Sequence, residues 1–153
     1  QLGLRHLGLV GGGTGLAPLL QIARALLADK HDKTQIHMLV VNRYEDDILM
    51  RDELDRLSVE HFIRFTLTYS LTQPPHDWAG SKGRGDAALA KEALPPPGED
   101  TLVLVCGTDG FVDTWAGAIE RVKGADGKKQ KVQGPLRGIL KQAGFTEDMV
   151  FKY

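Results

Sequence analysis

A chain of 153 residues with a formal net charge of -1, 42% hydrophobic and 25% charged residues has the make-up of one water-soluble globular domain with a single core. The near-neutral balance excludes a global basic field for nucleic acid or lipid, and no apolar run approaches the roughly 20 residues that span a bilayer. One cysteine excludes an internal disulfide, so the redox compartment is not readable.

No signal peptide is visible; the chain opens almost directly into an apolar strand, which reads as a fragment whose preceding part has been removed. Leu7 to Val10 is a short apolar run, expected as a buried parallel strand. Gly11, Gly12, Gly13 and Gly15 then allow a sharp turn with few side chains in the way. From Leu16 the apolar period turns helical: Leu16, Leu19, Leu20, Ala23, Leu26 and Leu27 share one face, with Pro18 in the first turn where a missing N–H costs little. Strand, glycine turn and helix start form a phosphate-binding arrangement, because free N–H groups and the positive end of the helix dipole meet at one point. The expectation is a nucleotide pyrophosphate held there; the alternative is a plain turn that binds nothing.

Gln35 to Val41 is a second buried strand, and Asn42 to Asp47 a polar crossing loop. Ile48, Leu49, Leu54 and Leu57 mark a second helix with acidic residues at its start. Phe62 to Tyr69 alternates and reads as a third strand nearer an edge. From Ser70 to Gly85 the pattern breaks into an irregular loop carrying Trp78. Asp86 caps a short helix to Leu94, stopped at Pro95 to Gly98. Thr101 to Val105 is a fourth strand, followed by Cys106-Gly-Thr-Asp-Gly110 and a helix through Val122. Gly124 to Gln133 reads as a mobile insertion whose Lys128, Lys129 and Lys131 are a solvated face rather than a binding patch. A last helix spans Pro135 to Ala143, and Met149 to Tyr153 is a C-terminal strand.

The implied fold is α/β, a doubly wound parallel sheet in the order 3-2-1-4-5 with a further strand at the C-terminus. In that order the first and fourth strands are neighbours whose crossovers diverge. Their two glycine loops should therefore converge on one cleft at the switch point, outside the carboxyl ends of the strands.

Gly13-Thr-Gly-Leu-Ala-Pro18, Asp47-Ile-Leu-Met-Arg-Asp-Glu-Leu54, Leu94-Pro-Pro-Pro97, Leu102-Val-Leu-Val-Cys-Gly107 and Glu147-Asp-Met-Val-Phe-Lys-Tyr153 resemble, in order, the pyridine-nucleotide domain of NADH–cytochrome b5 reductases. These belong to the ferredoxin–NADP reductase superfamily. The resemblance covers nearly the whole chain. It implies a Rossmann-like NAD-binding domain, residues 1–153, of a two-domain flavoprotein in which an N-terminal barrel, absent from this sequence, holds FAD. Hydride would pass from NADH, with NADPH admissible, to FAD, and electrons then to a haem protein such as cytochrome b5. The implied partners are that FAD domain and the haem acceptor, with no nucleic acid and no membrane contact by this domain. A mitochondrial or membrane-associated location would come through the missing N-terminus; the segment from Gly124 to Lys141 looks more like fungal mitochondrial members than animal ones.

Residue by residue, Gly13, Thr14, Gly15 and Pro18 match the family's pyrophosphate and nicotinamide-side turn. Cys106 and Gly107 match its Cys-Gly pair beside the nicotinamide. Tyr153 stands where members often end in an aromatic near the flavin. The candidate cofactor-binding set is Gly12, Gly13, Thr14, Gly15, Pro18, Asn42, Thr72, Cys106, Gly107, Thr108, Asp109 and Tyr153, with Cys106 and Thr14 as the catalytic candidates. Two departures matter. The family continues Cys-Gly-Pro-Pro where this chain has Cys106-Gly-Thr-Asp109, and Asp109 is expected to cap the next helix, the alternative being a place near the positive nicotinamide ring of the oxidised coenzyme. Thr72 stands where many NADH-specific members carry Asp, which predicts weaker discrimination against NADPH.

The five histidines show no metal-ligand spacing, so no metal site is expected. Glu45, Asp46 and Asp47 read as helix-start charges rather than an acid–base pair. Arg43 reads equally as an adenosine contact or a solvated arginine. Ser58, Ser70 and Ser81 lack a nucleophile-elbow setting, so hydrolysis is not expected. The competing reading is a non-catalytic nucleotide-binding or interaction module whose diverged Cys-Gly loop no longer supports hydride transfer.

Overall fold

The computed structural model describes residues 3–153. A six-stranded, wholly parallel sheet forms the centre: β1 (His6–Gly12), β2 (Gln35–Asn42), β3 (Phe65–Leu71), β4 (Ser81–Lys82), β5 (Thr101–Cys106) and β8 (Val150–Lys152) lie in the order β4-β3-β2-β1-β5-β8. Apart from β4 the strands follow the order 3-2-1-4-5, and the C-terminal strand β8 is itself the fifth, at the edge beside β5; no further strand lies beyond it among the described residues, and the sixth strand is β4 at the opposite edge. The added β4 is a two-residue strand inside the stretch expected to be irregular.

Strand alternation sends Leu7 and Leu9 of β1 to one face and Val10 to the other, so both faces need cover. On the first face α1 (Leu16–Ala28) and α2 (Arg51–Glu60) pack with Met38, Phe65 and Leu104. On the second, α3 (Ala87–Ala93), α4 (Asp109–Ala116) and α5 (Gly138–Gln142) enclose Val103, Val105, Trp115 and Leu140. α1 buries Leu16, Leu19, Leu20 and Leu27. At about 1.5–3 kcal/mol per buried leucine, packing rather than propensity holds this helix in place.

Several boundaries differ from the sequence expectation, each for a local reason. α2 starts at Arg51, because Met50 adopts φ 53° and breaks any helix begun at Ile48. β3 starts at Phe65: a turn closed by Arg64 and Phe65 N–H donation to the His61 carbonyl leaves Phe62 and Ile63 exposed. α4 ends at Ala116 rather than Val122, because Gly117 takes φ 85° and a side chain there would meet the Pro135 carbonyl. α5 cannot begin at Pro135, since Gly138 has φ 77° and lies against the Thr114 carbonyl.

The segment expected to be a mobile insertion is a regular antiparallel hairpin, β6 (Glu120–Lys123) with β7 (Lys129–Val132). Lys152 ties its root to the sheet. That side chain is buried, and its Nζ donates to the carbonyls of Gln133 (2.6 Å), Pro135 (2.9 Å) and Ala118 (3.3 Å). The Gln133 amide also bonds both the N–H and the carbonyl of Lys152. No helix among the described residues is long and apolar enough to cross a membrane.

Candidate functional site

β1 is flanked by β2 and β5, and its outgoing connection runs to β2 on one side while the chain reaches β5 from the other. The segments after β1, β2, β3, β4 and β5 meet around a groove of about 790 Å³. Gly12 at the end of β1 is followed by Gly13 and Thr14, Asn42 at the end of β2 by Arg43; Thr72 follows β3, Arg84 follows β4, and Thr108 follows β5, with Gly110 and Phe111 in the first turn of α4. Residues distant in sequence thus face one another at the carboxyl end of the sheet, where open α/β folds bind ligands.

The first wall is built for an anion. A short 3-10 turn, Gly13–Gly15, feeds α1, with no side-chain cap and no acidic residue in the first turn of either element. The Leu16 N–H donates to the Gly13 carbonyl, no side chain caps the N–H groups before it, and the helix dipole there is uncompensated. Gly13 sits at φ 55° with nothing within 4 Å of a would-be Cβ, so backbone conformation alone calls for glycine. Gly15 has ordinary helical φ, but a Cβ there would lie 2.2 Å from the Cys106 carbonyl oxygen. Its role is to let the start of α1 rest on the end of β5. Pro18 lies within the first turn of α1, half-buried.

Phe111 joins the two glycine loops. Its ring lies 2.8 Å from a would-be Cβ at Gly12, the end of β1, and 2.6 Å from one at Gly107, just after β5, so glycine at both places makes room for it. It leans on Trp115, with ring centroids 6.2 Å apart, and the Trp115 indole N–H donates to the Arg84 carbonyl at 3.2 Å. The floor of the groove is therefore aromatic, and the segment after β4 is latched to α4.

Asn42 is 9% exposed; its Nδ2 donates to the Asp47 carbonyl at 3.2 Å and its Oδ1 has no protein partner. A buried acceptor left unpaired beside a groove fits a hydrogen-bond donor on a bound ligand. The uncapped helix N-terminus, the φ of Gly13 and this orphaned oxygen all match the needs of a dinucleotide: an anion site, a close backbone approach and an acceptor for a sugar hydroxyl.

Of the sequence-derived candidates, Gly12, Gly13, Thr14, Asn42, Thr72 and Thr108 share the groove. Gly15 and Gly107 support it from behind. Cys106 is buried in the apolar layer under α1 with Leu9 and Leu16, and burial pushes its thiol up, keeping it protonated. Tyr153 is exposed at the β8 edge, its N–H on the Val105 carbonyl at 2.8 Å and its ring edge-on to Phe151. Asp109 does not cap α4. Thr108 does, accepting from Phe111 N–H at 3.2 Å through its hydroxyl, because it stands at the extended residue before the first helical one. Asp109 is instead an exposed first-turn charge. Sequence reasoning missed Phe111, Arg84 and Trp115; an aromatic three residues after a capping threonine was the available signal for the first.

Among the described residues, no group of three or more His, Cys, Asp or Glu side chains could hold a metal. Arg51 pairs with Glu45 at 2.8 Å and lies over the rings of Tyr69 and Trp78, at 5.5 and 5.7 Å, which assigns the acidic loop a structural partner.

Residues 9–116 match the sequence profile of the oxidoreductase NAD-binding domain. The chain is 39% identical over 150 residues to NADH-cytochrome b5 reductase 2 of Mus musculus, covering 98% of this chain and 47% of that protein. It is 37% identical to NADH-cytochrome b5 reductase 2 of Neurospora crassa, over 97% of this chain and 41% of that one. It thus spans about half the length of the curated relatives it matches. Among solved structures, the cytochrome b5 reductase domain of Ulva prolifera nitrate reductase superposes with a TM-score of 0.79 at 25% identity, over 98% of this chain and 50% of that one.

Proposed function

The chain belongs to the oxidoreductase NAD-binding domain family, and from that premise we propose that it is the nicotinamide-nucleotide half of an NADH–cytochrome b5 reductase-like enzyme. The remaining half, in the same polypeptide, would hold FAD, and a haem protein such as cytochrome b5 would take the electrons. A mitochondrial or membrane-associated location would be set by that other part of the polypeptide. The observation that carries this reading is the uncapped start of α1 at the β1/β5 switch point, facing the orphaned Asn42 oxygen across one groove.

Nicotinamide and flavin, when bound, supply the hydride and electron chemistry. The protein's part is placement. Gly13 and Thr14 N–H groups would hold the pyrophosphate, as helix starts do for anions. Asn42 Oδ1 would accept from a ribose hydroxyl. Phe111 and Trp115 close the floor and keep water from that side. Cys106 with Gly107 would bring a close backbone edge to the nicotinamide, and a protonated thiol suits that role because no nucleophile is needed. Tyr153 would cover the flavin side. The Thr-Asp departure in the loop after β5 supplies α4 with its cap, which favours a working loop over a degenerate one.

Arg43 and Arg84 line the groove with Thr72, and neither is in an ion pair among the described residues. Asp47 and Asp113 line the same groove, so its charge is balanced overall; the absence of a carboxylate at position 72 itself supports acceptance of NADPH beside NADH. The test is anaerobic mixing of the full-length protein with each coenzyme, followed by flavin absorbance. Bleaching by both is expected, with NADH the default donor; no bleaching by either refutes the reading. Thr72→Asp should raise the KM for NADPH at least about tenfold more than that for NADH. Equal changes for the two coenzymes would remove Thr72 from the 2′-position.

A further inference from the structure

The β6–β7 hairpin carries an arrangement that its own stability does not explain. Antiparallel pairing sets Arg121 opposite Lys131 and Lys123 opposite Lys129. Directly opposed residues share a face, and so do residues two apart along a strand, so these four cations form one two-by-two array. The spacing is about 5 Å across the strands and about 7 Å along them. All four are exposed, and none is in an ion pair among the described residues. The other face carries Glu120, Val122, Gln130 and Val132, with Glu120 lying against Gly134 at the root. Like charges directly opposite each other destabilise a ribbon that is marginal by itself. Folding alone would favour one carboxylate in each pair.

We propose that this cationic face is a docking surface for an acidic patch on the protein that accepts the electrons. The proposal rests on the electron-transfer reading above. Position supports it: Lys152 and Gln133 root the hairpin at the carboxyl end of β8, the same end of the sheet as the nucleotide groove. The hairpin's composition disfavours the other polyanions. Its tip, residues 124–127, holds Gly124, Ala125, Asp126 and Gly127, with no large apolar side chain to enter a bilayer. Neither strand has an aromatic residue on which a nucleic-acid base could stack. A grid of fixed cations complements a cluster of carboxylates, and such complementarity acts mainly through the rate and salt dependence of encounter.

Lys129→Glu/Lys131→Glu in the full-length protein is the decisive variant. It turns both opposed pairs attractive, so the hairpin is strengthened while its cationic face is lost. Lys30→Glu/Lys33→Glu, at exposed positions in the α1–β2 connection, makes the same change in net charge at the other end of the sheet. The probe is the soluble haem domain of a cytochrome b5 with net negative charge. Its binding is read by fluorescence anisotropy and its reduction by absorbance, over a range of ionic strength; flavin reduction by NADH is measured without it. The expected result is binding and haem reduction at least about tenfold weaker at low salt for the hairpin variant, with a flattened salt dependence. Flavin reduction should be unchanged, and the control variant should stay close to wild type. Equal binding by all three proteins, or equal loss in the control, overturns the docking surface whatever the turnover. Failure of NADH to reduce the wild-type flavin would sink the electron-transfer reading while the binding comparison still decides the surface. Selective loss of binding to phosphatidylserine vesicles, with haem-protein binding intact, would assign the face to lipid and overturn the proposal.

Discussion

Gly13 and Gly15 look alike in the sequence, yet they are glycine for opposite reasons. Gly13 needs its φ of 55° and has open space around it; Gly15 has ordinary φ and no space, with the Cys106 carbonyl 2.2 Å from a would-be Cβ. Gly13→Ala should therefore cost about 1–2 kcal/mol of backbone strain and leave the packing of α1 on β5 intact. Gly15→Ala must push the start of α1 away from β5, an overpacking cost of about 1–3 kcal/mol. At about 2–4 °C per kcal/mol for a protein of this size, its melting temperature should drop measurably. NADH affinity should fall with it, because the displaced N–H groups are those assigned to the pyrophosphate. Thermal melting with coenzyme titration checks this; unchanged affinity in Gly15→Ala would detach the α1 start from the nucleotide.

At the scale of elements, the loop after β5 shows how a sequence departure is absorbed. Thr108 takes the capping role through its hydroxyl on Phe111 N–H, and Phe111 is the side chain wedged between Gly12 and Gly107. Thr108→Ala should cost about 1 kcal/mol and loosen Phe111, raising the coenzyme Kd, while Thr108→Ser should behave as wild type. Asp109→Asn should have a smaller effect on melting, since it removes only a favourable dipole contact in the first turn. If Asp109→Asn proved the more damaging, the cap would belong to Asp109 after all. The hairpin teaches the converse lesson. Its glycine- and lysine-rich composition read as an irregular insertion, yet Gly127 at φ 78° and the Gly124 N–H bond to the Lys128 carbonyl close a regular turn. Alternation there was hidden because charged rather than apolar residues occupy one face.

For the molecule as a whole, pH reports on the sheet's interior. His37, half-buried on β2 near His6 on β1, has its pKa lowered, first by burial and then by the charge of His6. A histidine that resists protonation in the folded state lets the unfolded chain bind more protons. Its contribution is complete above the ordinary histidine pKa of about 6.5 and is lost as pH falls through the lower folded value. Urea midpoints should thus decline from neutral pH toward pH 5, and His37→Gln should flatten that decline; an identical profile would show that His37 does not set it. The sequence by itself determined the strand–helix alternation, the central strand order, the glycine turn after β1 and the family resemblance, because these depend on local periodicity and on motifs contiguous in the chain. Tertiary structure alone decided which groups share the groove. Arg84, Phe111 and Trp115 reach it from loops and helices that only the packed sheet brings together, and the Asn42 acceptor is orphaned only once burial removes water from it. It also decided that Cys106 points into the apolar layer and that four scattered cations stand on one face, since side-chain direction follows from strand register, and register is set by pairing with residues far along the chain.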